Sequence, residues 1–283
     1  IMKITGSQRH SFVFVETDKR QIIWVDKQGN ITRRRTPEGV SFDVWAMPDG
    51  TVLYTHYGLG TDGVSVVDKQ DRVLFRYETQ GEVFGCQPLE NGNILLGEVR
   101  GQCITEVNRQ GKVVRKIPVE YTGANPNNAM RMVRRHRDTY FAVQPGSGEI
   151  ALFEESGRLI RRVHTRMDTF GAVMRNNGNL LYTHRSGVVE VDPMGREVWE
   201  LKAEEIPEMG VQWLLGIQLL ESGNLVLTNW LGHDRHRMGI PFFEVTPEKR
   251  VVWTCDCTEA AEEAAVLQVL EENAERVCFI PLK

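Results

Sequence analysis

The densest set of reactive side chains is the run 229–238, NWLGHDRHRM, with two histidines, an aspartate, two arginines and a tryptophan in ten residues. His233 and His236 are three apart with Asp234 between them, a possible two-histidine, one-carboxylate set. Imidazole titrates near neutral pH and suits proton transfer or metal ligation. The competing reading is a hydrophilic loop whose charges are solvated. Trp230 is the better binding candidate, because an indole beside a polar loop offers a flat face on which a ring or sugar stacks. Two more histidines close a repeated tetrapeptide, Leu53-Tyr54-Thr55-His56 and Leu181-Tyr182-Thr183-His184. Each follows an apolar run, so each either caps a strand by bonding loop carbonyls or points into a shared polar funnel. No Ser-His-Asp spacing, phosphate loop or paired-carboxylate motif is present. Gly58-Leu59-Gly60 and Gly146-Ser147-Gly148 read as turns, since neither opens a helix after a strand.

The elements that must position these groups come from a repeat. A strand–turn–strand unit recurs around Pro48-Asp49-Gly50-Thr51, Glu90-Asn91-Gly92-Asn93, Asn176-Asn177-Gly178-Asn179 and Glu221-Ser222-Gly223-Asn224, with Arg137-Asp138-Thr139 filling the slot once without glycine. Such tight turns need a positive φ, which glycine adopts without steric cost. A second, charged hairpin recurs six times, near 22–35, 64–78, 103–119, 149–164, 188–202 and 242–256. Its turn ends at 29, 71, 111, 157, 195 and 249, spacings of 42, 40, 46, 38 and 54. Propeller blades repeat at ~40–45 residues. The expected fold is therefore all-β: one domain over 1–283, a six-bladed β-propeller of four-stranded antiparallel blades. Only five inner strands precede the six outer hairpins, so residues 266–270 are expected to supply the sixth. Blade 1 is then closed by the N- and C-terminal segments, which leaves no open sheet edge. Residues 258–265 (TEAAEEAA) favour a helix before that closing strand. The strand-like run 276–282 has no place in this scheme.

Strand order brings the entrances of the first strands and the ends of the second strands to one end of the fold. The second strands are expected to end on Glu16, His56, Glu98, Gln144, His184 and Asn229, all polar after apolar runs. The entrances add Asp43, Glu82, Asn127, Asn128, Asp168 and Gln212, with Phe42, Phe84, Phe170 and Trp213. Blades 2 and 5 lie opposite in a six-fold ring, which rules out one metal shared by His56 and His184. The expected site lies off-centre at blades 5 and 6, with Trp230, Asn229, Asp168, Gln212 and Arg185 as the ligand-binding set and Gln144, His56 and Glu98 as further funnel groups. If bonds are broken there, His184, His233 and His236 are the candidate acids and bases. Three readings stand: a small-molecule or carbohydrate binder, a glycan-acting hydrolase or lyase, and a protein-interaction scaffold. No cofactor and no metal is expected.

A net charge of -4 gives no electrostatic footprint for nucleic acid. The basic runs 33–35 and 131–137 read as solvated strand faces. No stretch reaches the ~20 apolar residues of a membrane helix. Five cysteines, an odd number, read as small buried hydrophobes with mostly free thiols. Trp24, Trp199 and Trp253 beside the outer hairpins read as packing residues.

Glu190-Val191-Asp192 with Gly195 and Trp199 resembles the repeats of quinoprotein-like and arylsulfotransferase-like propellers. Asn229-Trp230-Leu231-Gly232-His233, Glu244-Val245-Thr246 and Val251-Val252-Trp253 are similar to a bacterial group of six-bladed proteins of this kind. The resemblance covers nearly the whole chain and implies the fold, with a periplasmic or secreted setting. Six blades do not match the larger quinone-dependent enzymes, and no arylsulfotransferase nucleophile aligns.

Overall fold

The computed structural model describes residues 2–232 and 238–271. The fold is an all-β six-bladed propeller, every blade built on four antiparallel strands. The chain forms two compact units. Among the described residues, one comprises 2–36 and 168–271 and holds blades 1, 5 and 6; the other spans Pro37–Met167 and holds blades 2, 3 and 4.

In the first unit, blade 1 runs Ala264–Val269, Phe12–Glu16, Gln21–Val25 and Ile31–Arg35 from its inner to its outer strand. Blade 5 runs Ala172–Met174, Leu180–His184, Gly187–Val191 and Glu197–Lys202. Blade 6 runs Leu214–Leu219, Leu225–Asn229, Phe242–Val245 and Val251–Asp256. The expected closure is present: Phe12 faces Val269 and Phe14 faces Leu267 across an antiparallel ladder. Blade 6 carries a fifth strand that sequence reading did not assign, Lys3–Gly6, which pairs with the outer strand so that Lys3 faces Asp256 and Gly6 faces Trp253. The helix is shorter than expected, Thr258–Ala261. The closing strand begins at Ala264, because pairing with Phe12–Glu16 overrides the helix propensity of the last two alanines. The run 276–282 lies outside the described residues.

In the second unit, blade 2 runs Val44–Ala46, Val52–His56, Gly63–Val67 and Val73–Glu78. Blade 3 runs Val83–Pro88, Ile94–Glu98, Cys103–Val107 and Val113–Pro118. Blade 4 runs Val133–His136, Thr139–Gln144, Glu149–Glu154 and Leu159–His164. Second and third strands are almost wholly buried, which explains their near-continuous apolar runs.

Two side-chain devices account for the recurring motifs. In the outer hairpins an aspartate or asparagine accepts backbone N–H bonds two and four residues on, as in Asp26 with Gln28 and Asn30, Asp68 with Gln70 and Arg72, and Asp192 with Met194 and Arg196. In blades 3, 5 and 6, the asparagine after the inner turn donates to a buried third-strand glutamate: Asn93 to Glu106 at 2.6 Å, Asn179 to Glu190 at 2.7 Å and Asn224 to Glu244 at 2.6 Å. Blade 2 has Thr51 at the turn and Val66 in the glutamate's place, so amide and carboxylate occur together. His10, in the segment joining Lys3–Gly6 to blade 1, takes the other oxygen of Glu244 at 2.6 Å and meets Trp253 edge-on at 5.2 Å.

The basic run of blade 4 departs from the expected solvated face. Arg134 is buried, grips Asp43 with both Nη atoms (2.7 and 3.3 Å), donates to Cys86 O and lies over the Trp45 ring. One guanidinium thus ties together the inner strands of blades 2, 3 and 4. Cys86, Cys103, Cys255 and Cys257 are free, buried thiols, and Cys278 lies outside the described residues. Trp253 is fully buried and Trp24 nearly so, while the half-buried Trp199 donates its indole N–H to Pro247 O.

Candidate functional site

The geometry of the inner strands begins with close approach. A Cβ on Gly171 would lie 2.2 Å from Leu215 O, and one on Gly216 would lie 2.9 Å from Ala265 O. Only glycine lets the inner strands of blades 5, 6 and 1 come this near. Thr183 spans the first gap: its hydroxyl accepts from Gly171 N and donates to Leu215 O.

At the loop end of blades 5 and 6, Asn229 fixes the entrance of the next inner strand. Its Oδ1 accepts from Gln212 N (2.8 Å) and Trp213 N (3.2 Å), and its Nδ2 donates to Ile240 O (3.1 Å). Trp230 N donates to Trp213 O, and Leu231 N to Glu262 O, so both ends of this short segment are held. The indoles of Trp213 and Trp230 meet edge-to-face, centroids 5.7 Å apart at 84°, and Phe170 meets Trp213 at 5.2 Å and 76°. All three rings are partly exposed. Trp213 Nε1 donates to Asp168 O, Arg185 lies over the Trp213 ring at 4.7 Å, and its Nη1 donates to Asp168 Oδ2 at 3.2 Å. Asp168 holds a positive φ of 63°. The result is an aromatic shelf with a charged rim of Asp168 and Arg185, beside which Gln212 bonds Gly210 O and Met238 O, while Asn229 is fully buried and holds the Gln212–Trp213 backbone.

All six expected polar residues do terminate their second strands. Their side chains mostly bond loops of the blades they belong to or adjoin. Glu16 accepts from Lys19 N and Glu263 N, and burial raises its carboxyl pKa. Glu98 accepts from the Thr105 hydroxyl, and Gln144 donates to Glu120 O and Ala129 O. His56 donates from Nδ1 to Thr61 O, which leaves Nε2 as acceptor for the Ser65 hydroxyl. Burial lowers its pKa, so the ring is held neutral. His184 sits beside Arg185 in sequence but not on the shelf. Strand alternation turns it to the side away from Thr183 and Leu215; its ring packs against Gly187, and Nδ1 accepts from Ser186 N. His233 and His236 lie outside the described residues.

A second aromatic cluster, in blades 2 to 4, escaped the sequence reading. Arg131 stacks on Phe84 at 4.0 Å and on Phe42 at 5.3 Å, and Tyr57 meets Phe84 at 4.9 Å. Burial pulls the arginine pKa down to about 10, against the opposing pull of Tyr57 and Glu82. Phe42 and Phe84 are visible as entrance aromatics, but nothing in the basic run marks Arg131 as their partner. Among the described residues no group of three histidine, cysteine, aspartate or glutamate side chains is arranged to hold a metal.

No family model matches the chain, and no curated protein does. Solved structures match in fold. A protein of unknown function from Bacteroides caccae superposes with a TM-score of 0.81 at 20% identity, over 92% of this chain and 98% of that one. A streptogramin B lyase gives 0.64 at 15% identity, over 89% and 82%. A catalytically inactive virginiamycin B lyase from Staphylococcus aureus, crystallised with quinupristin, gives 0.61 at 14% identity, over 91% and 100%. At these identities the likeness is one of propeller fold.

Proposed function

We propose that this propeller binds a hydroxylated, ring-bearing small molecule, a sugar above all, on the shelf of Phe170, Trp213 and Trp230. The observation that carries the reading is the convergence of three partly exposed aromatic rings with a polar rim of Asp168, Arg185 and Gln212. Ligand pockets combine apolar walls with a few placed polar groups in this way, and indoles pack well on sugar C–H faces. Tryptophan fluorescence titrated with a panel of oligosaccharides tests it. Trp230→Ala should weaken binding about two- to twelvefold, as expected for loss of one aromatic contact worth ~0.5–1.5 kcal/mol. No saturable change with any sugar would defeat the proposal.

A bond-cleaving version of the site is the second reading. It is favoured by the lyases among the structural neighbours and by the continuity of Trp230 with the segment that carries His233 and His236. A hydrolase or lyase using those histidines would release product from a bound glycan; a pure binder would return the glycan intact.

A further inference from the structure

We infer that the shelf selects an acidic sugar, a pyranose ring bearing a carboxylate, with Arg185 as the group that reads the charge. This inference rests on the sugar-binding reading of the same shelf. A guanidinium carries five N–H donors in a rigid fork that matches a carboxylate bidentately. In Arg185 a single hydrogen bond, Nη1 to Asp168 Oδ2, ties the group to the protein. Nε and Nη2 make no hydrogen bond to the chain among the described residues.

The side chain is nevertheless held. Its Cζ lies 4.7 Å from the Trp213 ring centroid, and Asp168 grips one corner while half of the arginine surface stays exposed. Asp168 is itself anchored, since its carbonyl accepts the Trp213 indole N–H. An arginine fixed on one edge and open on the other has little rotamer entropy left to lose on binding. The guanidinium lies over the Trp213 ring, and Trp213 meets Trp230 at nearly a right angle. A sugar ring packed into that corner brings a ring-borne carboxylate within reach of Nε and Nη2. A neutral sugar gains the aromatic packing but leaves these donors to water.

Calorimetric titration with a hexuronate oligosaccharide and the neutral hexose oligosaccharide of the same linkage tests this. The wild-type chain should bind the acidic ligand at least tenfold more tightly. Arg185→Gln should abolish that preference, read as the ratio of the two affinities whatever the change common to both, whereas Arg185→Lys, which keeps the charge without the fork, should keep only part of it. Equal wild-type affinity for the two ligands, or a preference that survives Arg185→Gln, overturns the acidic-sugar inference while the sugar-binding reading stands. Absence of binding by either ligand overturns that reading and the inference with it. Should Arg185→Gln unfold, the lysine variant decides: an undiminished preference in Arg185→Lys overturns the role of the fork.

Discussion

His56 shows how a residue type suited to chemistry is put to structural use. Its Nδ1 faces the carbonyl of Thr61 and its Nε2 the hydroxyl of Ser65, to which Arg76 Nε also donates, so every proton in the chain is assigned to the neutral ring. Burial disfavours the imidazolium, and His136 is shifted the same way by burial and by Arg137. A depressed histidine pKa means that the unfolded chain takes up protons first as pH falls. The stabilisation is complete above the ordinary histidine value of about 6.5 and is lost as pH drops through the lower folded values. Denaturant unfolding should therefore show stability declining from pH 7 to pH 5, with a shallower decline in His56→Gln; equal slopes would remove His56 as the cause. The Asn–Glu pairs give a second prediction. Asn179→Leu strips one donor from the buried carboxylate of Glu190 and should cost about 1–3 kcal/mol, read from the urea midpoint. Residue roles were only partly legible beforehand. A polar residue directly after an apolar run marks where a buried strand ends, so all six second-strand termini could be placed. The way a side chain turns could not, which is why Arg134 read as a solvated basic residue and His184 as a shelf residue.

The turns were the most legible elements, because their backbone demand appears in the residue type. The inner turns place glycine at φ 83–88°, and where glycine is missing the chain adopts a left-handed conformation anyway, at Arg137 (φ 53°), Asp71 (φ 62°) and Lys249 (φ 65°). Gln102, directly before the third strand of blade 3, carries the same steric penalty at φ 46°, with no side-chain hydrogen bond among the described residues. Gln102→Gly should accordingly raise stability by about 0.5–1 kcal/mol, and Gly157→Ala (φ 88°) should lower it by about 1 kcal/mol, both measurable as shifts in Tm. Opposite signs would refute the left-handed assignment. Strand boundaries were less legible. The inner strand of blade 3 starts at Val83, because its ladder with the second strand runs on past Cys86, through a register shift, to pair Val83 with Glu98. Lys3–Gly6 went unassigned since a mostly exposed four-residue edge strand leaves almost no hydrophobic period to read.

At the scale of the whole molecule, closure joins distant parts of one chain. Removing 264–283 takes away the inner strand of blade 1 and exposes the apolar edge of Phe12–Glu16, so the truncated protein should aggregate or lose cooperative unfolding. A monomer with an unchanged melting transition would refute that role. The pairing of Phe12 with Val269, and of Lys3 with Asp256, joins residues some 250 positions apart, whereas blades 2, 3 and 4 are each built from one unbroken stretch inside Pro37–Met167. Contacts distant in sequence carry a larger loop-closure cost and form late. The order of folding is thereby written into the connectivity: amides of blades 2 to 4 should gain protection from hydrogen exchange first in a refolding pulse-labelling experiment, and those of Phe12–Glu16 and Ala264–Val269 last. On the ribosome the same arithmetic keeps the first strands waiting for a partner until the 264–269 segment has emerged, an interval in which the nascent Phe12–Glu16 strand is open to capture by a chaperone or by the same strand of a neighbouring chain.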